Sequence, residues 1–257
     1  MISRMMSTGG QKSFIYGLRA IMEAMDSGTP IDKILIRKGL KGALFQEFFD
    51  QVRTLQVPFQ YVPARKLDGI TRKNHQGVVA FLSPITFGRI EDLLPGLYES
   101  GKTPFLLLLD GLTDVRNFGA ILRTAECAGV DGVVIPTRNF ARINEDAAKT
   151  SAGALYRIPV CRAAKMASAI EYIRQSGVKV VGVTEKTQHY YDQVVFDGPV
   201  ALVLGSEDAG ISPAIMDQLD AKVRIPLAGE IESLNVSVAA GVVAYEVVRQ
   251  RRAQAQP

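Results

Sequence analysis

The chain has 257 residues, of which 47% are apolar and 22% charged, and its formal net charge is +4. This composition is typical of a globular protein with a sizeable core, and the mildly basic balance permits an anionic partner without requiring one. No apolar run is long enough to cross a bilayer, so we expect a cytoplasmic protein with no membrane partner. His75 and His189 lie far apart, and no metal site is predicted. Cys127 and Cys161 have apolar neighbours and no CxxC spacing, which predicts two buried thiols in a reducing compartment.

The N-terminal third of the chain is predicted to be a short lead-in followed by a small α/β unit. Residues 1–13 are rich in Ser, Gly and Met, and we expect them to be disordered. Apolar spacing predicts helices over 14–25, 43–55 and 64–69 and strands over 33–37, 59–62 and 78–82. These elements make a domain, 14–83, of about the smallest size that folds independently. The segment 84–103 contains prolines and glycines and is predicted to be a linker with one helix near 90–97.

From residue 104 to the end, continuous apolar strands alternate with helices. The predicted strands are 105–109, 132–135, 158–160, 179–183, 201–204 and 222–225. One predicted helix starts at Asn117, and four others cover 146–155, 165–177, 213–219 and 238–248. The last of these is an apolar run that we expect to form a buried helix. Strands without polar alternation indicate a parallel sheet covered on both faces. Ligands of such sheets lie outside the carboxyl ends of the strands, so the loops that follow the strands are the candidate site.

The loop after the first of these strands, 110–119, leads into a helix that carries several polar residues. Asn117 is predicted to cap this helix by accepting a hydrogen bond from an early backbone amide. Gly119 permits close approach by another backbone or a ligand. Arg123 offers a fork of donors suited to phosphate. Taken alone, the loop favours a capped helix with one surface arginine over a ligand site.

Two later loops are also unusual. The turn 204–210 frames an acidic pair with two glycines, and its carboxylates suit a hydroxyl or a cationic ligand better than pyrophosphate. Pro226 ends a strand, and 233–237 then places three polar side chains in five residues. Ser233 is predicted to cap the terminal helix, with Asn235 in its first turn. A plain turn and a plain capped helix remain open as alternatives for these two loops.

In this order and spacing, the three loops resemble the three signature motifs of the SpoU-type RNA ribose 2′-O-methyltransferases, which belong to the SPOUT class. Asn117 and Arg123, six residues apart, resemble the first motif. Leu-Gly-Ser-Glu-Asp-Ala-Gly at 204–210 resembles the second. Ile-Pro-Leu at 225–227 and Ser-Leu-Asn-Val-Ser-Val-Ala at 233–239 resemble the third. The resemblance extends from the first apolar strand to the end of the terminal helix, without a departure at these positions.

The resemblance implies a catalytic domain, 104–257, with a parallel-sheet α/β fold, a deep trefoil knot and a homodimeric assembly. It also implies S-adenosylmethionine as the methyl donor. The implied catalytic residues are Asn117, Arg123, Glu207, Ser233 and Asn235. The implied cofactor-binding residues are Thr184, Leu204, Gly205, Ile225, Leu227 and Leu234. A protonated guanidinium cannot accept a proton, so we expect Arg123 to clamp the target phosphate rather than to act as a general base.

Residues 14–83 resemble the ribosomal-protein-like RNA-binding domain that precedes the catalytic domain in many members of the class. The stretch His-Gln-Gly-Val-Val-Ala at 75–80 is similar to the corresponding stretch there. The two-domain layout is closest to bacterial enzymes that methylate a guanosine ribose in 23S rRNA. A transfer-RNA ribose methyltransferase and a non-catalytic RNA-binding ribosome-assembly factor remain as alternatives. An oxidoreductase is disfavoured because the first strand turn lacks the GxGxxG that binds pyrophosphate.

Overall fold

The computed structural model describes residues 14–254 and divides into two compact units, with the boundary between Pro84 and Ile85. The predicted lead-in, 1–13, lies outside the described residues. No helix in the described part of the chain combines the length and the hydropathy that a membrane span requires. Each unit has a sheet with helices on both faces, so each has its own core.

The first unit is a four-stranded mixed sheet with three helices. Its elements are β1 (Phe14–Tyr16), α1 (Leu18–Asp26), β2 (Ile31–Arg37), α2 (Ala43–Thr54), β3 (Phe59–Val62), α3 (Ala64–Asp68) and β4 (Val78–Leu82). The strand order is β1-β4-β2-β3, and only β2 and β3 are parallel. Ile21 of α1 and Phe48 of α2 are buried on one face, and Leu67 of α3 is buried on the other. The three predicted strands of this unit are confirmed.

The predicted helix over 14–25 is wrong at its start. Phe14–Tyr16 is an edge strand antiparallel to β4, with Ile15 opposite Ala80. Gly17, at φ 91°, turns the chain before α1 begins at Leu18. Three consecutive apolar residues fit the face of a helix as well as a short buried strand. Only the free edge of β4, a tertiary feature, decides between them.

The second unit is a six-stranded, fully parallel sheet in the order β10-β8-β9-β5-β6-β7, which confirms the predicted parallel-sheet α/β fold, whereas the trefoil knot stays a prediction. Its elements are α4 (Ile90–Glu99), β5 (Phe105–Leu109), α5 (Val115–Cys127), β6 (Gly132–Pro136), α6 (Glu145–Thr150), β7 (Val160–Ala163), α7 (Met166–Gln175), β8 (Lys179–Val183), β9 (Val200–Leu204), α8 (Pro213–Met216), β10 (Ala221–Val223) and α9 (Val236–Gln254). Short 3₁₀ turns lie at Ala154–Tyr156 and Tyr191–Gln193.

The side-chain period of two divides the core of this unit between the faces of the sheet. In β5, Leu107 and Leu109 pack with α5 and α9, whereas Leu106 and Leu108 pack with α4 and α7. Every residue of β5 is therefore buried, as the continuous apolar run predicts. Because α4 belongs to this core, the predicted linker 84–103 contains an element of the second unit.

Several predicted boundaries in this unit are wrong. The helix expected over 146–155 ends at Thr150, because Ala152 and Gly153 adopt φ of 49° and 89° and break it into a 3₁₀ turn. The strand expected at 158–160 runs instead from Val160 to Ala163 beside β6. The helix expected over 213–219 is the shorter α8, and the strand expected over 222–225 is β10.

Two burial predictions also need correction. The terminal helix is not buried all round, since Val238 and Tyr245 are 50% and 49% exposed on its outer side. Cys127 is exposed at the end of α5, where the chain leaves the core. Cys161 is buried as predicted, and burial raises its pKa to about 12, with help from the negative charges of Glu91 and Asp92. The Cys161 thiol is therefore unreactive at neutral pH.

Candidate active site

The candidate site forms where three loops leave the carboxyl edge of the parallel sheet. The loops follow β5, β9 and β10, and β5 and β9 are neighbours in the sheet. Two of them border a cavity of about 570 Å³. It is lined by Val183, Thr184, Glu185, Lys186, Leu204, Gly205, Ser206, Glu207, Asp208, Ala209, Gly210, Arg224, Ile225, Leu227, Glu232, Ser233, Leu234, Asn235, Val236 and Ala239. All six residues predicted to bind a cofactor are among them.

A hydrogen-bonded polar cluster stands beside this cavity and draws one residue from each motif. The Asn117 side-chain amide donates to the Glu207 carboxylate. Asn235 Nδ2 donates to Asn117 Oδ1 at 3.1 Å and lies 3.5 Å from Glu207 Oε1. Asn117 and Glu207 are 90 residues apart in sequence. Only the fold brings these three predicted catalytic residues together.

The two remaining predicted catalytic residues stand apart from this cluster. Ser233 lines the cavity and is exposed, and its side chain has no hydrogen-bond partner among residues 14–254. Arg123 is exposed on α5, outside the cavity, and its guanidinium is likewise unpaired within the described part of the chain. Both side chains are therefore available to a ligand.

The predicted capping roles are wrong at both helices. Asp114 caps α5, because its carboxylate accepts from the Arg116 amide at 2.6 Å and from the Asn117 amide at 3.4 Å. Its Oδ1 satisfies orphan amides of the first turn, so the Asn117 side chain is free to reach Glu207. At α9, Asn235 Oδ1 accepts from the Ser237 amide at 2.9 Å. The helix begins at Val236, so Ser233 lies too early to cap it.

Gly205 allows the loop after β9 to fold tightly upon itself. A Cβ atom there would lie 2.0 Å from the carbonyl carbon of Gly210 and 2.1 Å from the Ile211 nitrogen. The loop is closed by paired backbone hydrogen bonds between Ser206 and Gly210, of 3.1 and 2.9 Å. This closure holds Glu207 at the tip of the turn, facing Asn117.

Asp110 joins the two ends of the same loop, a role that the sequence pattern does not predict. Its amide donates to the Leu204 carbonyl at 2.8 Å, and its carboxylate accepts from the Ser212 amide at 2.8 Å. Ser212 is 102 residues away, so no local sequence signal could reveal this contact. The cap at Asp114 was detectable, since an Asp three residues before Asn117 is an ordinary N-cap signature.

Gly119 provides the close approach that the sequence predicts. A Cβ atom at this position would lie 1.9 Å from the Thr150 hydroxyl and 3.0 Å from the Ser151 amide nitrogen. The neighbour is the end of α6 rather than a ligand. Gly119 therefore sets the contact between α5 and α6 and, through it, the position of Asn117.

The cavity presents free backbone groups together with apolar and acidic side chains. Gly205, Ile225, Leu227 and Leu234 make no backbone hydrogen bond within the described residues, so their donors and acceptors are open to a ligand. The charged lining residues are four carboxylates and two cations: Glu185, Glu207, Asp208, Glu232, Lys186 and Arg224. Residues 14–254 contain no group of three or more His, Cys, Asp and Glu side chains that could hold a metal ion.

Comparison with known proteins identifies the family. The profile of the SpoU rRNA methylase family matches residues 104–245, and that of the RNA 2′-O ribose methyltransferase substrate-binding domain matches 14–87. The chain belongs to the SpoU rRNA methylase family. These two SpoU domains correspond to the second and the first compact unit, respectively.

Individual relatives agree with SpoU membership. A protein of Staphylococcus aureus described as a TrmH family tRNA/rRNA methyltransferase is 37% identical over 241 residues, covering 94% of this chain and 97% of the relative. The crystal structure of an AdoMet-bound rRNA methyltransferase from Sinorhizobium meliloti is 25% identical with a TM-score of 0.60, over 92% of this chain and 87% of that one. The SpoU methyltransferase AviRb from Streptomyces viridochromogenes shares the fold at 24% identity and a TM-score of 0.60, over 94% and 90% of the two chains.

Proposed function

We propose that this protein transfers a methyl group from S-adenosylmethionine to a ribose 2′-hydroxyl of structured RNA, with a guanosine of 23S rRNA as the target. The observation that carries the proposal is the cluster of Asn117, Glu207 and Asn235 beside a cavity bordered by two of the three motif loops. Membership of an RNA methyltransferase family supplies the reaction class. The specific target is an inference from the two-domain layout.

The lining of the cavity fits the proposed cofactor. Unpaired backbone groups of Gly205, Ile225 and Leu234 would hydrogen-bond an adenine, and the leucines of the lining would provide apolar contacts. The excess of carboxylates suits a ligand with a positively charged sulfur. When bound, S-adenosylmethionine supplies an electrophilic methyl group on that sulfonium. The chain's own contribution is then to hold the ribose hydroxyl in line with it, which is catalysis by positioning.

The five predicted catalytic residues would divide this positioning work. Asn117 and Asn235 both donate toward Glu207, so its carboxylate is held in one orientation at the edge of the cavity. Glu207, Ser233 and Asn235 would orient the cofactor and the target nucleotide. Arg123, exposed and unpaired within residues 14–254, would clamp the target phosphate with two parallel hydrogen bonds. The hydroxyl proton would leave to that phosphate or to water.

We propose further that the protein works in the cytoplasm as a homodimer. Val238 and Tyr245 lie seven residues apart on α9, and each exposes about half of its apolar side chain. Residues with this spacing share a helix face, so a second copy could cover both at once. Light scattering of the purified protein tests the assembly, since a monomer at micromolar concentration would contradict it.

Methyl incorporation tests the reaction. The protein, tritiated S-adenosylmethionine and an in-vitro transcript of bacterial 23S rRNA should yield labelled RNA, and nucleoside digestion should return 2′-O-methylguanosine. Glu207→Gln should lower the rate at least roughly tenfold because the amide carries no negative charge and has one accepting oxygen in place of two. Glu171→Gln, the same change on an exposed residue of α7 outside the cavity, is the matched control. Absence of label from every RNA offered would contradict the proposal.

A transfer-RNA target is the second candidate. It is favoured by the S. aureus relative, whose description covers both tRNA and rRNA. Parallel reactions with a tRNA transcript distinguish the two. Label in tRNA alone would keep the chemistry and replace the substrate. A purely structural assembly factor would bind RNA without incorporating label, and the complete set of polar motif residues argues against it.

A further inference from the structure

Four chain segments of the first unit come together at one end of its sheet. The ends of β2 and β3 are adjacent, because Arg37 pairs with Val62 in the parallel register and the Lys38 amide donates to the Val62 carbonyl at 3.0 Å. The start of β4 joins them through the Arg37 amide, which donates to the Gly77 carbonyl at 2.8 Å. We define the basic end as the segments 17–19, 37–42, 62–66 and 69–77.

The start of α1 is held at the same end. The Leu18 amide donates to Gln76 Oε1 at 3.0 Å, and the Gly17 amide donates to the Val78 carbonyl at 3.3 Å. The loop between α3 and β4 is fixed by His75, whose Nε2 lies 3.0 Å from Asp68 Oδ1 and whose Nδ1 accepts from the Gly77 amide at 3.0 Å. The four segments therefore form one ordered surface rather than separate loops.

This end carries most of the positive charge of the unit. Its four segments contain eight Lys and Arg residues, and the acidic residue between two of them, Asp68, is hydrogen-bonded to His75. The eight are Arg19, Arg37, Lys38, Lys41, Arg65, Lys66, Arg72 and Lys73. All are exposed, and none has an ion-pair or side-chain hydrogen-bond partner within residues 14–254. Because the whole chain has a formal net charge of only +4, the rest of it is net acidic.

The other end of the same sheet has a different character. Asp26, at the end of α1, accepts a hydrogen bond from the Gln51 side-chain amide, and Asp32 lies near the start of β2. Arg53 stands at the end of α2, where its guanidinium lies 6.0 Å from the Phe49 ring. Eight of the ten Lys and Arg residues in 14–84 are thus concentrated at one end. Random scatter over a solvated surface does not explain this separation.

We propose that the basic end is the surface through which the first unit grips the phosphate backbone of its RNA substrate. Exposed Lys and Arg side chains without an ion-pair partner are free to contact RNA phosphates. Each such contact releases a condensed counterion, which favours binding. Turns fixed by backbone hydrogen bonds hold these charges at set positions, which suits recognition of folded RNA by shape. This inference rests on the proposed function and adds the location of RNA contact in the first unit.

The first test removes four positive charges from the basic end. A variant with Arg37→Gln, Lys38→Gln, Arg72→Gln and Lys73→Gln should bind a 23S rRNA transcript at least roughly tenfold more weakly at 0.15 M salt. The slope of log affinity against log salt should fall by about one for each cation that contacts phosphate. All four side chains are exposed and unpaired within the described residues, so the thermal midpoint should not move.

The matched pair is Arg72→Glu at the basic end and Arg53→Glu at the other, each changing the net charge by the same amount. The first should weaken RNA binding severalfold more than the second. Equal effects, or an unchanged salt slope in the fourfold variant, would overturn the proposal. So would a wild-type protein that binds anionic phosphatidylserine vesicles through these residues and binds no RNA. If the wild type binds RNA through the basic end but incorporates no methyl label, the proposed function fails and this surface stands.

Discussion

Gly205→Ala is the sharpest perturbation that the structure offers for the candidate site. The new Cβ would meet the backbone of Gly210 and Ile211 at 2.0 and 2.1 Å, where ordinary contact begins at 3.4 Å. The loop must therefore open by about 1.4 Å, and no flexible side chain can absorb the clash. Glu207 sits within this loop and would move away from Asn117. A displacement of about 1 Å at a catalytic group can cost about 100-fold in rate, equivalent to roughly 2.7 kcal/mol.

We expect Gly205→Ala to lower kcat/KM for methyl transfer by about 100-fold and to weaken S-adenosylmethionine binding in calorimetry. Overpacking should cost about 1–3 kcal/mol of unfolding free energy, which leaves the protein folded at room temperature. Gly198→Ala is the control, because no atom lies within 4 Å of the Cβ position there and its backbone is not in the left-handed region. Turnover of Gly205→Ala within twofold of wild type would refute the reasoning, since it would mean that loop closure does not position Glu207.

Three further predictions follow from individual contacts. Asp110→Ala leaves the Ser212 amide unpaired, so it should lower the free energy of unfolding in urea by about 1–3 kcal/mol and reduce methyl transfer. Asp110→Asn can still accept this hydrogen bond and should restore both stability and methyl transfer. Failure of the rescue would show that the hydrogen bond is dispensable. Arg123→Lys should lower kcat/KM at least tenfold at neutral pH, and near-full turnover would exclude both a bidentate clamp and an arginine base. Glu246→Gln should lower the unfolding free energy at pH 7. Hydrogen bonds from Arg249 lower the Glu246 pKa below its ordinary value near 4.5, so this deficit should shrink as the pH falls through that range in pH-dependent melts. A deficit independent of pH would contradict the linkage.

The elements that sequence predicts best are those whose pattern admits one structure. The five apolar residues at Phe105–Leu109 are too few for a buried helix and are bounded by turn signals, and they form β5 without correction. Helix ends are predicted worst. At α5 the cap moves three residues upstream to Asp114, and at α9 it moves two residues downstream to Asn235. Several polar residues near a helix start can cap it, and the tertiary partner that claims each side chain decides which one does.

The order of the elements along the chain does not predict that the site residues meet, because it does not give the order of strands in the sheet. Along the chain β5 is followed by β6, yet its second neighbour is β9, inserted between β5 and β8. This reversal opens a crevice at the carboxyl edge, as at the switch points of other parallel sheets. The loop after β5 carries Asn117 and the loop after β9 carries Glu207, so the hydrogen bond between them follows from that strand order. Asn235, at the start of α9, reaches the same crevice because α9 packs against α5 in one core.

A substitution that shifts α9 on α5 should therefore impair catalysis without touching the cavity. Gly241, whose Cβ position lies 3.5 Å from a Thr124 methyl group on α5, is the place to test it. Gly241→Val should reduce methyl transfer while leaving Gly205 and its loop unchanged. Full activity in a folded Gly241→Val protein would show that the contact between α9 and α5 does not position Asn235.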